Sequence, residues 1–186
     1  MPKVSQDHLD ARRAEILEGA RRAFARYGYE GATVARLEAE IGLSRGAIFH
    51  YFDSKLDLFV ELAVEDSLRV ESLLTEEGIE AALRAIAAAD RNWLTVLIET
   101  EVRLWHDPEF VRRMSSRQRE DTLLDGLVAA QAEGRLRTDL ELIDLATFAS
   151  AVFNGLALRV AADNPTDIDS FVRLVSDALR PQRPAR

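Results

Sequence analysis

From residue 9 to residue 179 the apolar side chains recur at intervals of three and four, and no strand-like alternation competes with that spacing. Ile16, Ala20, Ala23, Phe24 and Tyr27 fall on one face of a helix. A chain built on this period buries its stripes by packing helix on helix, so the expected class is all-α. Glycine and proline divide the pattern. Gly28 and Gly31 close the first helix. Thr33 can cap a short one, V-A-R-L-E-A-E-I, that Gly42 ends. Ser44 can cap a third, from Arg45 to about Tyr51. Ser54, with Asp57 three residues on, forms a capping-box pattern that opens a fourth.

The same punctuation continues beyond Gly78. Residues 79–89 are alanine-rich and helix-prone. Asp90 can cap a helix carrying Trp93, Val96, Leu97, Thr100 and Leu104. Asp107-Pro108 restarts the chain, a cap followed by proline at the first helical position, and that helix is expected to reach Gln131. Asp139 precedes a long helix to about Ala162, which Asn164-Pro165 breaks. Asp167 or Asp169 opens a last helix ending near Leu179. The expectation is about nine helices: a three-helix head over 1–53, a larger helical domain over 54–180 and a polar, disordered tail, R-P-Q-R-P-A-R, over its last residues, 181–186 taken as the tail.

Charge narrows the partners. The 186 residues carry a net charge of -8, yet residues 1–56 hold nine basic and eight acidic side chains, and the remainder 15 and 24. The first third can approach a polyanion and the rest would repel one. The absence of cysteine excludes disulfides and thiolate metal sites. No run of about 18 apolar residues marks a membrane span, and the first residues lack the apolar stretch of a secretory signal, so a cytoplasmic protein without a membrane partner is expected. H-E-x-x-H, G-x-S-x-G, a P-loop and G-x-G-x-x-G are all missing, and the three histidines (8, 50, 106) lie far apart, which argues against an enzyme.

Residues 33–52 have the proportions of a helix-turn-helix: an eight-residue helix, a turn at Gly42-Leu43-Ser44 and a second short helix. Leu37, Ile41, Leu43, Ile48 and Phe52 can close a small core against Phe24 and Tyr27. Ser44, Arg45, Gly46, His50 and Tyr51 then keep faces for solvent. A helix of this size fits the major groove with its N-terminal residues at base edges, and Gly46 removes bulk where approach is closest. Lys55, in the first turn of the fourth helix, is well placed for a phosphate. A plain packing unit of three helices would read the same by periodicity alone.

The wording goes further. F-A-R-Y-G-Y-E-G-A-T-V, then I-G-L-S, R-G-A-I-F-H-Y-F and S-K-L-D-L-F resemble the N-terminal signature of the TetR family of transcriptional regulators over residues 12–59. The resemblance implies an all-helical homodimer whose two recognition helices read palindromic double-stranded DNA, and a C-terminal domain that binds a small-molecule effector. By position, Ser44, Arg45, Gly46, His50 and Tyr51 are the groove-facing set, with Arg45 reading bases and Thr33 and Lys55 contacting phosphates. Glu38 departs from the small residue that many members carry, so its carboxylate must point outward or find a partner, Arg36 or Arg45 being nearest. R-L-E, Y-E-G-A-T-V, S-R-G-A-I-F-H, D-P-E-F and G-R-L-R-T-D also resemble the actinobacterial aconitase repressor branch. That branch implies a tricarboxylate effector such as citrate with a divalent cation such as Mg²⁺.

In the larger domain, Glu99, Arg103 and His106 line up at spacings of four and three, Asn154 and Arg159 interrupt A-V-F-N-G-L-A-L-R-V-A, and Trp93 lies near. Trp93, Glu99, Arg103, Asn154 and Arg159 are the candidate lining of a pocket for an anionic or metal-bound ligand. Ordinary solvated helix faces would show the same spacing, and His106 is better read as part of the Asp107 cap. Leu145, Phe148, Val152, Phe153, Leu156 and Val160 give one broad stripe, and Phe171, Leu174, Val175 and Leu179 another. The resemblance implies that these stripes form a four-helix dimer interface; internal core is the other reading. Two further readings stay open: a TetR-type repressor of an efflux or catabolic operon sensing an apolar ligand, and a helical protein-interaction module that does not bind DNA.

Overall fold

A computed structural model describes residues 6–117 and 120–181, and every regular element among them is a helix. In chain order these are α1 (Gln6–Gly31), α2 (Val34–Ile41), α3 (Arg45–Ile48), α4 (Lys55–Glu76), α5 (Ile79–Ala87), α6 (Arg91–Leu104), α7 (Pro108–Arg117), α8 (Glu120–Ala132), α9 (Leu142–Ala161) and α10 (Ile168–Leu179). The helix expected over 108–131 is described as two stretches, α7 and α8, because residues 118 and 119 between them lie outside the described residues. The expected disordered tail falls, apart from Pro181, outside the described residues.

The caps form largely as the sequence indicates. Thr33 Oγ1 accepts from the Arg36 amide and Ser44 Oγ from the Ala47 amide, both at 3.4 Å. Gly42 takes φ 79°, the left-handed conformation that costs glycine least, and closes α2 through its N–H to the Glu38 carbonyl. Gly28, at φ 70° and ψ 168°, interrupts α1, and one more turn carries the chain to Gly31. One expectation shifts. The third helix ends at Ile48 rather than near Tyr51, and the chain continues through 49–51 as a turn, the Tyr51 amide bonding to the Ile48 carbonyl at 3.0 Å. Of the two aspartates expected to open α10, Asp167 is its cap, accepting from the Ser170 amide at 3.1 Å.

The chain forms two compact units: Met1–Glu65 with Asn92–Arg117, and Asp66–Arg91 with Gln118–Arg186. The core of the first contains Ile16, Phe24, Leu37, Ile48, Phe52, Leu58, Phe59 and Trp93, drawn from five helices and the segment after α3. Phe24 stacks on Tyr29 and meets the Phe59 ring edge-on, each with centroids 5.8 Å apart. The α1–α2 crossing is close: a methyl at Gly19 would lie 2.8 Å from the Ile41 Cα, so glycine is required there. Glu40 of α2 fastens the pair, accepting from Arg26 at 3.0 Å and from the Tyr27 hydroxyl at 3.2 Å.

The second unit packs α5, α8, α9 and α10 around Leu83, Leu127, Leu145, Leu156, Val172 and Leu179. The G-R-L-R-T-D motif (134–139) is its clasp. Arg137 forks onto Asp139 at 2.8 and 2.6 Å, donates to the Ala178 carbonyl at 2.9 Å, and through its amide reaches the Leu179 carbonyl at 2.9 Å. The loop after α8 is thereby tied to the last turn of α10.

Candidate nucleic-acid interface and ligand cavity

The start of α3 is fixed from behind. Ser44 Oγ takes the Ala47 N–H, and Glu38 Oε1 takes the Arg45 N–H at 2.6 Å. The unusual carboxylate of α2 therefore finds its partner in Arg45, but in the backbone amide rather than the guanidinium. One of the donors orphaned at every helix start is satisfied this way. Glu38 also fixes the register between the two helices of the motif. The Arg45 side chain is left exposed and without a hydrogen bond or ion pair among the described residues.

Ser44, Arg45, Gly46 and His50 are all exposed, and Tyr51 is half-buried. His50 meets the Tyr51 ring edge-on with centroids 5.4 Å apart, so the two rings form one ledge after α3. Thr33 is exposed at the start of α2. Beyond its neighbours and its own helix backbone, no described residue comes within 4 Å of where a Gly46 Cβ would sit. The protein itself has no need of glycine at that position.

Lys55 is engaged inward. Its Nζ donates to the Tyr29 carbonyl at 2.9 Å, lies 4.4 Å from the Tyr29 ring centroid and stands 3.7 Å from Glu30. Arg103 reaches the same place, pairing with Glu30 at 2.6 Å. Burial, and then the Glu30 charge, raise the Tyr29 hydroxyl above its ordinary value. One expected phosphate contact and one expected ligand contact thus share a tyrosine and a glutamate within the first unit.

The other ligand candidates are not gathered. Trp93, 3% exposed, is a core ring between Phe24 and Phe59, with the Arg21 guanidinium 5.0 Å from its centroid. Glu99 is exposed. Asn154 lies on the exposed face of α9, and Arg159 turns to Thr166 and the Pro165 carbonyl at 2.8 and 2.9 Å. A cavity of about 320 Å³ opens elsewhere in the second unit, among residues of α5, α8, α9, α10 and the end of α4. Its wall is mainly Leu74, Ile79, Leu127, Leu136, Leu145 and Leu179. Several polar groups at it already have partners: Glu80 accepts from Ser176 at 3.1 Å, Arg135 pairs with Glu133 at 2.6 Å and Arg180 with Asp177 at 3.0 Å. The described residues contain no group of three or more His, Asp or Glu side chains fit to cage a metal ion. A cation here would need most of its ligands from the effector, as Mg²⁺ commonly does.

Sequence reasoning passed over two half-buried carboxyls. Burial raises Glu71, whose Oε2 is buried without a hydrogen-bond partner, and pushes Glu101 up to about 7. Glu101 was legible in principle: Ile98, Glu101, Val102 and Trp105 share one helix stripe, and a carboxylate set in an apolar stripe signals desolvation.

Comparison with known proteins fits this geometry. Residues 16–62 match the family of bacterial regulatory proteins called the tetR family. The chain is 40% identical to the HTH-type transcriptional repressor AcnR of Corynebacterium diphtheriae over the full length of both. It is 42% identical to an HTH-type transcriptional repressor of Mycobacterium tuberculosis, over 97% of this chain and 99% of that one. Among solved structures, Salmonella enterica GusR superposes with a TM-score of 0.71 at 20% identity, covering 95% of this chain and 96% of that one. Bacillus subtilis FadR, solved in complex with stearoyl-CoA, superposes with a TM-score of 0.65 at 19% identity, covering 88% and 95%. The latter two speak to the fold alone. The helix-turn-helix, the match across it and the full-length relatives agree: the chain belongs to the TetR family of transcriptional regulators, in its aconitase repressor (AcnR) branch, and is not an enzyme.

Proposed function

We propose that this chain is a ligand-responsive repressor that acts in the cytoplasm as a homodimer on a palindromic duplex site. The observation that carries the reading is the Arg45 side chain, exposed and unpaired on a helix whose first turn is held by Ser44 and Glu38. A guanidinium so placed can meet guanine O6 and N7 together. Ser44, Gly46 and His50 flank it in the groove, Tyr51 and Thr33 fix position on the backbone, and Lys55 contacts a phosphate by exchanging Glu30 for it. Residues 1–53, with Lys55 at the start of α4, carry the DNA contacts, and 54–180 carry effector binding and dimerisation.

The dimer reading is supported by a face of α9 that the described residues leave exposed. This helix is long and apolar enough to cross a membrane by composition, with a mean hydropathy of 1.3, yet only 22% of it is buried in the chain. Ile143, Ala151, Gly155 and Leu158 share its exposed face, and Leu174 of α10 is 71% exposed. A second copy supplies a self-complementary cover and a second recognition helix.

For the effector, the branch to which the chain belongs favours a tricarboxylate such as citrate with Mg²⁺. The apolar wall of the cavity favours the second reading, an effector with an apolar body. Titration calorimetry with citrate, Mg²⁺ and both together separates them: absence of heat and of any change in DNA affinity removes the tricarboxylate. In either case the effector must prefer one arrangement of the two recognition helices over another, since tight binding alone shifts nothing. For the DNA reading, Arg45→Ala is expected to cost about 1–3 kcal/mol on the cognate site and leave binding to random duplex unchanged. Equal loss on both DNAs in a gel-shift series would contradict the assignment.

A further inference from the structure

The segment that leaves the recognition helix is pinned by a single buried carboxylate. Between α3 and α4 the chain passes through 49–54, where Phe52 is anchored in the core. Asp57, 5% exposed in the first turn of α4, accepts the Asp53 N–H at Oδ2 (3.1 Å), while its own N–H goes to Ser54 Oγ (3.1 Å). Its other oxygen, Oδ1, accepts from Arg113 Nη1 of α7 at 2.9 Å. The guanidinium is aimed before it arrives: Glu109 holds it through Nε at 3.1 Å and Nη2 at 2.8 Å, and Phe110 fastens α7 to the core. A carboxylate this buried is stable as an anion only when paired and hydrogen-bonded. The cap of α4 and the exit of α3 therefore both depend on a residue 56 positions further along the chain.

We infer that Arg113 is a positioning residue for DNA reading: through Asp57 it fixes the segment that sets the orientation of α3, without touching DNA itself. Its three carboxylate neighbours, Asp57, Glu109 and Asp53 (4.0 Å), occupy the guanidinium. With that fork removed, residues 49–54 must be ordered at the moment of binding, and ordering one backbone residue then costs about tenfold in affinity. Lysine keeps the charge but cannot engage Glu109 and Asp57 as a fork.

The inference rests on the DNA-binding reading, and the experiment separates the two. Wild-type protein selects a site from randomised duplexes; Arg113→Lys and Arg113→Gln are then titrated against that site and against random duplex. Amide exchange over 49–54 and thermal unfolding are measured alongside. Arg113→Lys is expected to lose at least about tenfold on the selected site, with a much smaller loss on random duplex, where only the backbone contact of Tyr51 is shared, and an unchanged salt dependence, because that follows charged phosphate contacts. Exchange over 49–54 should quicken in the same variant, and Arg113→Gln should show a larger loss in both readouts. A lowered unfolding temperature with an unchanged ratio of selected to random affinity, or unchanged exchange over 49–54, overturns the inference and leaves Arg113 as a packing residue. Should wild-type protein select no duplex, the DNA-binding reading falls, and this inference with it.

Discussion

At the scale of single residues, Gly46 separates what the fold needs from what the proposed DNA contact needs. Apart from its chain neighbours and its own helix backbone, no described residue lies within 4 Å of a Cβ built there, and its backbone is helical. Gly46→Ala is expected to raise stability by about 0.5–1 kcal/mol, as alanine does at helical positions, and to weaken binding to the cognate duplex by crowding the groove. Thermal melts and anisotropy titrations on the same sample check both halves. Glu101 offers a test at the other end of the first unit. Burial holds its carboxyl at about 7, against an ordinary 4.5. The folded chain thus binds this proton more tightly than the unfolded one. The stability it contributes is complete below about pH 4.5 and is lost as pH rises through about 7. Glu101→Gln is expected to match wild type near pH 4 and to exceed it by about 2 kcal/mol near pH 8, read by urea denaturation at the two pH values. Glu38 shows why single residues resist reading from sequence. Its unusual carboxylate was visible, as was Arg45 as its neighbour, but only the three-dimensional turn shows that it takes the Arg45 amide and leaves the guanidinium free.

At the scale of elements, the punctuation in the sequence was nearly sufficient. Thr33, Ser44, Ser54 and Gly42 cap where their chemistry says they should, because each cap is decided by the residue and its next three neighbours. The length of α3 was not readable, since it depends on packing against distant residues. The same limit separates the two sites. The proposed DNA-facing set lies within 23 residues and could be proposed as one motif, whereas the cavity gathers side chains from five helices that no local spacing connects. Close crossings are the other invisible feature. At Gly19 a methyl would meet Ile41 Cγ1 at 2.7 Å and its Cα at 2.8 Å, so α1 would have to move off α2. Gly19→Ala is expected to destabilise the first unit by about 1–3 kcal/mol, an overpacking cost that outweighs the gain in helix propensity. A denaturation midpoint equal to wild type would show that the crossing yields.

At the scale of the whole molecule, the chain carries its acidic excess outside residues 1–56 and an apolar face on α9 that it does not cover itself. A short helix such as α3 contacts too few base pairs for specificity alone. A symmetric pair reads two half-sites whose centres lie about 34 Å apart, one helical turn of DNA, or a multiple of that. In the proposed reading, covered apolar face, paired recognition helices and repelled acidic surface are one design, in which the chain approaches DNA only through its first third, twice over. Selection of bound duplexes from a randomised pool tests this most directly. The account expects one enriched inverted repeat, with half-sites spaced by a whole number of helical turns; recovery of no sequence, or of a single asymmetric one, would contradict it.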